Sequence, residues 1–336
     1  MTTTAIPPKI QSLENADAIT TPEENPWAVV FRRFIKHRLA VISSIFIFIL
    51  FLTSFFAKQI APFEPQALNP ANRFLSPGTV NPETGKTHWL GTDNLGRDYF
   101  SRMLYSGRVS LSIAFITVFI SLIIGIVIGV ISGYYQGWLD GVLMRIVDLL
   151  GTLPGIPILL ILSSILLSNK DAIPIPNIML RVAGAVMLLD EDGARQGVMI
   201  ALVLAALGWL GMARLIRGLV LSLKTQTFVE AAKALGATDG YIMFRHLVPN
   251  TVAVIIVTAS LELAGVLIGE SALSFLGFGL QEPVVTWGNM LANAQDFMLD
   301  RPYLAIICGL PILLCALAFN FIGDGLRDAL DPRLKL

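Results

Sequence analysis

The sequence predicts an all-α polytopic membrane protein with six transmembrane helices, and three observations carry that reading. The 336 residues are 54% hydrophobic and only 14% charged, with a mean hydropathy of +0.70. Soluble domains average about 25% charged residues. Apolar runs near or above the roughly 17 residues that cross a bilayer recur at 39–56, 111–131, 142–167, 198–212, 251–280 and 303–322. Polar, charged or proline-rich segments separate these runs.

The chain begins with a polar stretch, residues 1–26, which lacks the apolar core of a signal peptide and predicts a disordered cytoplasmic tail. The basic cluster Phe31-Arg-Arg-Phe-Ile-Lys-His-Arg38 precedes the first span and places that end inside the cell. Residues 57–107 read as a polar extracytoplasmic loop with five prolines, ending in His88-Trp-Leu-Gly-Thr-Asp…Gly96-Arg-Asp98. Within it Gly85-Lys86-Thr87 looks like the end of a phosphate-binding loop. The motif would need glycine at Val80, a preceding strand and a following helix, so no ATP site is expected there.

The second span carries Gly125, Gly129 and Gly133 every four residues, a small-residue stripe for close helix packing, either within this chain or against another. The third span has Arg145 and Asp148 near its start, and Pro154 and Pro157 predict a kink. Residues 168–197 are apolar but broken by Pro174, Pro176, Asn177 and Arg181. They read as an extracytoplasmic insertion with an interfacial helix; a seventh span is the alternative. The fourth span is short and stops before Arg214 and Arg217.

A polar stretch then leaves the membrane. Thr227 followed by Glu230 predicts a capping box. Gly236 ends that helix in the left-handed conformation and is expected to act as a hinge. Thr238 or Asp239 caps a second short helix, which Pro249 stops. Together they predict a two-helix knob on the membrane surface. The fifth span holds Glu262 and Glu270, two acids that line a path or pair helices, since a lipid-facing carboxylate is costly. A polar loop, 281–302, contains Trp287 and Gly288. The sixth span is kinked at Pro311 and leads to a short polar tail. Six spans put both termini in the cytoplasm, in agreement with a modest excess of Lys and Arg on that side. Cys308 and Cys315 lie in an apolar run and read as small core residues, not a disulfide or metal pair. The net charge of zero argues against nucleic acid as a partner. The three histidines are scattered, so no catalytic or metal site is expected.

Glu230-Ala231-Ala232, then Gly236 and Pro249, resembles the EAA loop of bacterial ABC importer permeases. His246 and Val248 depart from the usual isoleucine and leucine. The set His88–Asp98, Met144-Arg-Ile-Val-Asp148, Glu270–Gly279, Trp287-Gly-Asn-Met-Leu291 and Gly323–Pro332 is similar to the C-type permease of dipeptide/oligopeptide ABC importers, a family that also imports nickel and other small solutes. The resemblance covers about residues 26–334. It implies the type I importer permease fold in the bacterial cytoplasmic (inner) membrane. It also implies a B-type permease partner, two cytoplasmic ATPase subunits that hold ATP and Mg, and an extracytoplasmic substrate-binding protein; no cofactor is expected in this chain itself. On this resemblance residues 1–107 hold the tail, first span and outer loop, 108–324 the permease core with its insertion, and 325–336 the cytoplasmic tail. ATPase docking falls to Glu230, Ala231, Ala232, Leu235, Gly236, Phe244, Arg245 and Pro249. Asp148, Glu262 and Glu270 remain candidates for the path or for helix pairing. A secondary carrier using the intramembrane acids is the alternative of a different class.

Overall fold

The computed structural model describes residues 26–82, 84–169 and 173–331. Residues 1–25 of the expected tail (1–26) and the end of the Gly323–Pro332 motif lie outside the described residues. Among the described residues, five helices are long and apolar enough to cross a membrane, and one bent pair supplies a sixth.

Helix α1 (Pro26–Lys36) precedes the first span, α2 (Arg38–Phe55), and α3 (Ala57–Ile60) follows it. The sequence reading has no helix at α1, because its basic residues interrupt the apolar run. His37 separates α1 from α2 with an extended backbone, and its Nδ1 accepts the Ala40 N–H. A two-stranded antiparallel hairpin follows, β1 (Thr79–Val80) and β2 (Thr87–His88), with Thr79 opposite His88. Gly85-Lys86-Thr87 sits in this hairpin, away from any helix N-terminus.

Helix α4 (Tyr99–Tyr135) begins well before residue 111. The polar loop therefore ends near residue 98, not 107. Asp98 caps the helix by accepting the Ser101 N–H (2.7 Å), and the polar residues of its first turns are buried. The bend after α4 leads to α5 (Gly137–Thr152) and α6 (Gly155–Ser168), which meet at 92°. The expected kink is a full break. Pro154 forces Leu153 into an extended conformation (ψ 142°), which no helix can carry through.

The insertion forms α7 (Asn177–Met187). Eleven residues rise about 16 Å, too short for a seventh span. Leu180, Ala183 and Met187 face the protein, while Ile178 and Val182 are exposed. The insertion ends earlier than residue 197: α8 (Glu191–Leu223) starts at a cap by Asp190, with two acids in its first turn. The helix also runs past Arg214 and Arg217, because α5 supplies both with partners (Asp148 and Asp140).

Helices α4 and α8 form the most extensive pair. The glycine stripe explains it. A Cβ at Gly125, Gly129 or Gly133 would stand 2.7–2.8 Å from Met212, Ala213 or Val220 of α8. The stripe therefore serves packing within this chain. Two short helices follow, α9 (Thr227–Ala234) and α10 (Asp239–Ile242), then a π-turn at Met243–Leu247 and the fifth span, α11 (Val248–Phe275). Helix α12 (Trp287–Gln295) opens with a Thr286–Asn289 capping box, and α13 (Pro302–Leu330) closes the chain. Cys308 and Cys315 are free and buried.

Candidate functional site

The stretch 227–249 forms a knob at the end of the bundle where α4 finishes and α8 leaves. Its inner side is apolar. Val229, Ile242, Met243 and Leu247 pack against Val130, Tyr134, Met212, Ile216 and Val220. Each buried side chain contributes about 1.5–3 kcal/mol, which holds in place helices too short to persist alone. Polar contacts finish the seat. Tyr134 Oη donates to Asp239 Oδ1 (2.6 Å), and Lys224 Nζ donates to the Tyr134 carbonyl (3.1 Å).

The caps differ in part from the expectation. Gln226 is the N-cap of α9, and no side chain caps the helix. Thr227 already lies inside, so Glu230 is one residue too far along to return a hydrogen bond. The capping box is absent. At the other end, Gly236 has φ +81°; its N–H donates to the Lys233 carbonyl, and the Ala237 N–H donates to that of Ala232. These two bonds make a Schellman C-cap. Thr238 accepts the Tyr241 N–H and so starts α10.

Pro249 does not stop the second helix. The chain stays helical from Asp239 to Phe275. The π-turn widens the backbone, so the Val248 N–H reaches the Met243 carbonyl. Pro249 sits in the first turn of the segment that follows, where its missing N–H is tolerated.

The outer side of the knob displays the remaining residues. Leu235 is 89% exposed, Phe244 71% and Tyr241 54%. Phe228, Ala231, Leu235, Gly236, Tyr241 and His246 line a shallow groove of about 670 Å³, mostly apolar. Glu230, Ala231, Arg245 and Pro249 are exposed around it, and Ala232 is half-buried. The eight residues assigned to docking therefore share one solvent-facing knob, although Phe244 and Arg245 lie on the π-turn and not on a short helix.

Asp148, Glu262 and Glu270 do not meet. Asp148 Oδ1 accepts from Arg214 across α5 and α8 (3.2 Å), an exposed pair worth about 0–1 kcal/mol. Asp140 makes the stronger link: it accepts from Nε and Nη2 of Arg217, both at 2.6 Å. Glu262 is half-buried, with one oxygen lacking a hydrogen-bond partner among the described residues. Glu270 is 1% exposed and accepts from Ser274 Oγ (2.9 Å), with the hydroxyls of Ser110 and Thr286 beside it.

At the opposite end of the bundle a buried polar clasp joins segments far apart in sequence. Asp93 Oδ2 accepts from Arg97 Nε (2.7 Å), and Arg97 Nη1 donates to Glu282 Oε2 (2.6 Å). Arg102 donates to Glu282 Oε1 (3.2 Å) and Asn293 adds a third donor (3.3 Å). Both arginines are at most 3% exposed. Burial pushes the Glu282 carboxyl up, but the Arg97 hydrogen bond and the Arg102 charge outweigh it and hold the carboxyl below its ordinary range. Asp98 Oδ1 also holds His88 Nδ1 (2.8 Å), whose ring stacks on Phe63. Sequence spacing could suggest the Asp93–Arg97 pair, four residues apart. Nothing in the sequence links either arginine to Glu282.

Comparison with known proteins bears on this geometry. A family model described as binding-protein-dependent transport system inner membrane component matches residues 125–336. A second, described as the N-terminal TM domain of oligopeptide transport permease C, matches residues 25–77. The glutathione transport system permease protein GsiD of Escherichia coli O157:H7 is 37% identical over 327 residues, 97% of each chain. That of Pectobacterium atrosepticum is 36% identical over 310 residues, 92% of each chain. Among solved structures, a chain of the MetNI methionine ABC transporter in an inward facing conformation aligns with a TM-score of 0.45 and 17% identity, covering 69% of this chain and 97% of that one.

Proposed function

This chain belongs to the binding-protein-dependent transport system inner membrane components, as a C-type permease subunit of a peptide/nickel-family ABC importer, and we propose that it carries a peptide-like solute and takes its energy through the 227–249 knob. A membrane-spanning permease of this family works with a second permease, ATPases and a binding protein. The finer assignment is a B-type permease as the second subunit and two ATPase subunits that hold ATP and Mg. The secondary-carrier alternative does not suit a chain of this family.

The observation that carries the docking assignment is the contrast within the knob. Its inner residues are consumed by the bundle, while Leu235, Phe244 and Tyr241 stand in water around a shallow groove. Large apolar side chains clustered on a surface mark a protein contact. Ala231 lets a partner surface approach closely. This reading puts the knob and both termini in the cytoplasm, on the side of Arg32, Lys36 and Arg38. The clasp then faces the binding protein. The substrate reading rests on the glutathione permeases to which the chain is similar over nearly its whole length.

Two measurements test these assignments. A cysteine replacing Leu235, in the complex reconstituted into vesicles, is expected to react with an impermeant thiol reagent from the ATP-accessible side and to be shielded when the ATPase subunits are bound. Equal labelling with and without those subunits would remove the knob from docking. ATP-driven uptake of glutathione or a dipeptide is expected in the same vesicles. Uptake of nickel with neither peptide would redirect the substrate while leaving the docking result intact.

A further inference from the structure

Helix α1 has no role in the knob or the clasp, yet it displays a large apolar stripe. Trp27, Phe31 and Ile35 are 60%, 64% and 51% exposed. They recur every four residues and so share one helix face. The other face is fixed to the protein: Phe34 packs on Gly325 of α13, and Arg33 Nη1 donates to the Asp331 carbonyl (2.9 Å). One residue beyond α1, past the break at His37, the first span begins, and its Leu39, Ile42, Ile45 and Phe48 are exposed as well. Lys36 and Arg38 stand exposed at the junction.

We propose that α1 is an anchor for anionic lipid, lying in the headgroup layer with Trp27, Phe31 and Ile35 in the acyl boundary and with Lys36 and Arg38 on lipid phosphates. The adjoining span identifies the occupant, because a single residue, His37, separates α1 from a bilayer-spanning helix whose apolar side chains are exposed as well, which sets the stripe at the level where that helix meets the headgroups. An amphipathic helix with aromatic residues on one side and basic residues beside them suits the interface. Tryptophan at its start fits the headgroup level. Lys36 and Arg38 supply the positive charge that an anionic leaflet attracts.

The test uses the full complex in vesicles of phosphatidylcholine, with or without phosphatidylglycerol. Ile35→Cys carries an environment-sensitive fluorophore, and the unsubstituted chain, whose two cysteines are buried, serves as the labelling control. Nitroxide lipids labelled near the headgroup should quench the fluorophore more than those labelled deep in the chain. Phosphatidylglycerol should strengthen the quenching. The pair Lys36→Glu and Arg38→Glu should raise the phosphatidylglycerol content needed for half-maximal quenching severalfold, and inorganic phosphate in excess should leave it unchanged. Competition by free phosphate would assign the basic residues to a soluble anion and overturn the lipid assignment. An unquenched fluorophore at every composition would place the stripe in water. Shielding that appears only with the second permease, without nitroxide quenching, would make the face a subunit contact. Either result ends the proposal.

Discussion

The clasp and the knob occupy opposite ends of the same bundle and look alike in sequence: both are polar, glycine-bearing and rich in charged residues. Their side chains go in opposite directions. Asp93, Arg97 and Arg102 are buried and satisfy one another, with Glu282 as their half-exposed member. Glu230, Leu235, Phe244 and Arg245 point outward. A motif can therefore persist because it closes on itself or because it waits for another surface, and composition alone does not separate the cases.

Two glycines sharpen this contrast most. Gly96 (φ +77°) and Gly236 (φ +81°) share a left-handed backbone. A Cβ at Gly96 would collide with the Asn69 backbone carbonyl, whereas nothing lies within 4 Å of one at Gly236. Gly96→Ala should cost about 3 kcal/mol or more, adding overpacking to left-handed strain, and should lower the thermal midpoint of the purified chain. Gly236→Val should cost only the strain, about 1–2 kcal/mol, while ATPase coupling falls in the assembled complex. Equal thermal losses would erase the distinction between the two regions.

Charge removal at the clasp comes next. Glu282→Gln should cost about 1–2 kcal/mol, discounted because the carboxylate is 43% exposed. The pH dependence has a definite sign. The folded-state carboxyl titrates below its ordinary value, so its stabilisation is present above the unfolded value of about 4.3. It is lost as pH falls through the folded value. Thermal midpoints recorded downward from pH 7 should drop in that acidic window, and the drop should be smaller in Glu282→Gln. An identical profile in the variant would remove Glu282 from the titration.

The knob should give the reverse pattern. Leu235→Asp is expected to leave stability within about 0.5 kcal/mol but to abolish copurification with the ATPase subunits. A large thermal loss would show that Leu235 is packed and not displayed. The smallest effect belongs to Glu230→Ala. With no capping box to break, only the favourable site of an acid in the first helical turn is lost, about 0.5 kcal/mol or less. Glu230→Gln should match it in stability. If substrate-stimulated ATP hydrolysis falls equally in both, the carboxylate charge acts on the partner; wild-type coupling in Glu230→Ala would remove this residue from the mechanism.

Much of this was legible in the sequence, for identifiable reasons. The spans follow from apolar run length, and the Gly236 cap follows from what only glycine does cheaply. Helix ends were misplaced wherever a polar residue finds its partner far along the chain. Arg102 belongs inside α4 because Glu282 meets it, and Arg214 and Arg217 belong inside α8 because α5 supplies Asp148 and Asp140. Pro249 was misread because a π-turn, which has no sequence signature, accommodates it. The capping box failed by one residue, since Thr227 and Glu230 have the right spacing but the helix starts one position early. Phe244 and Arg245 were placed in the knob correctly, on a turn that could not be foreseen.

That π-turn also has a mechanical meaning. Because the backbone stays helical from Asp239 to Phe275, the base of the knob and the buried Glu270 belong to one rod of 37 residues, about 55 Å long. A rod of that length acts as a lever. Rotating it by about 5° would carry one end roughly 5 Å relative to the other, by its length alone. A small push on its outer end, where Tyr241 and Phe244 stand exposed, would therefore arrive beside Trp287 and the loop that holds Glu282.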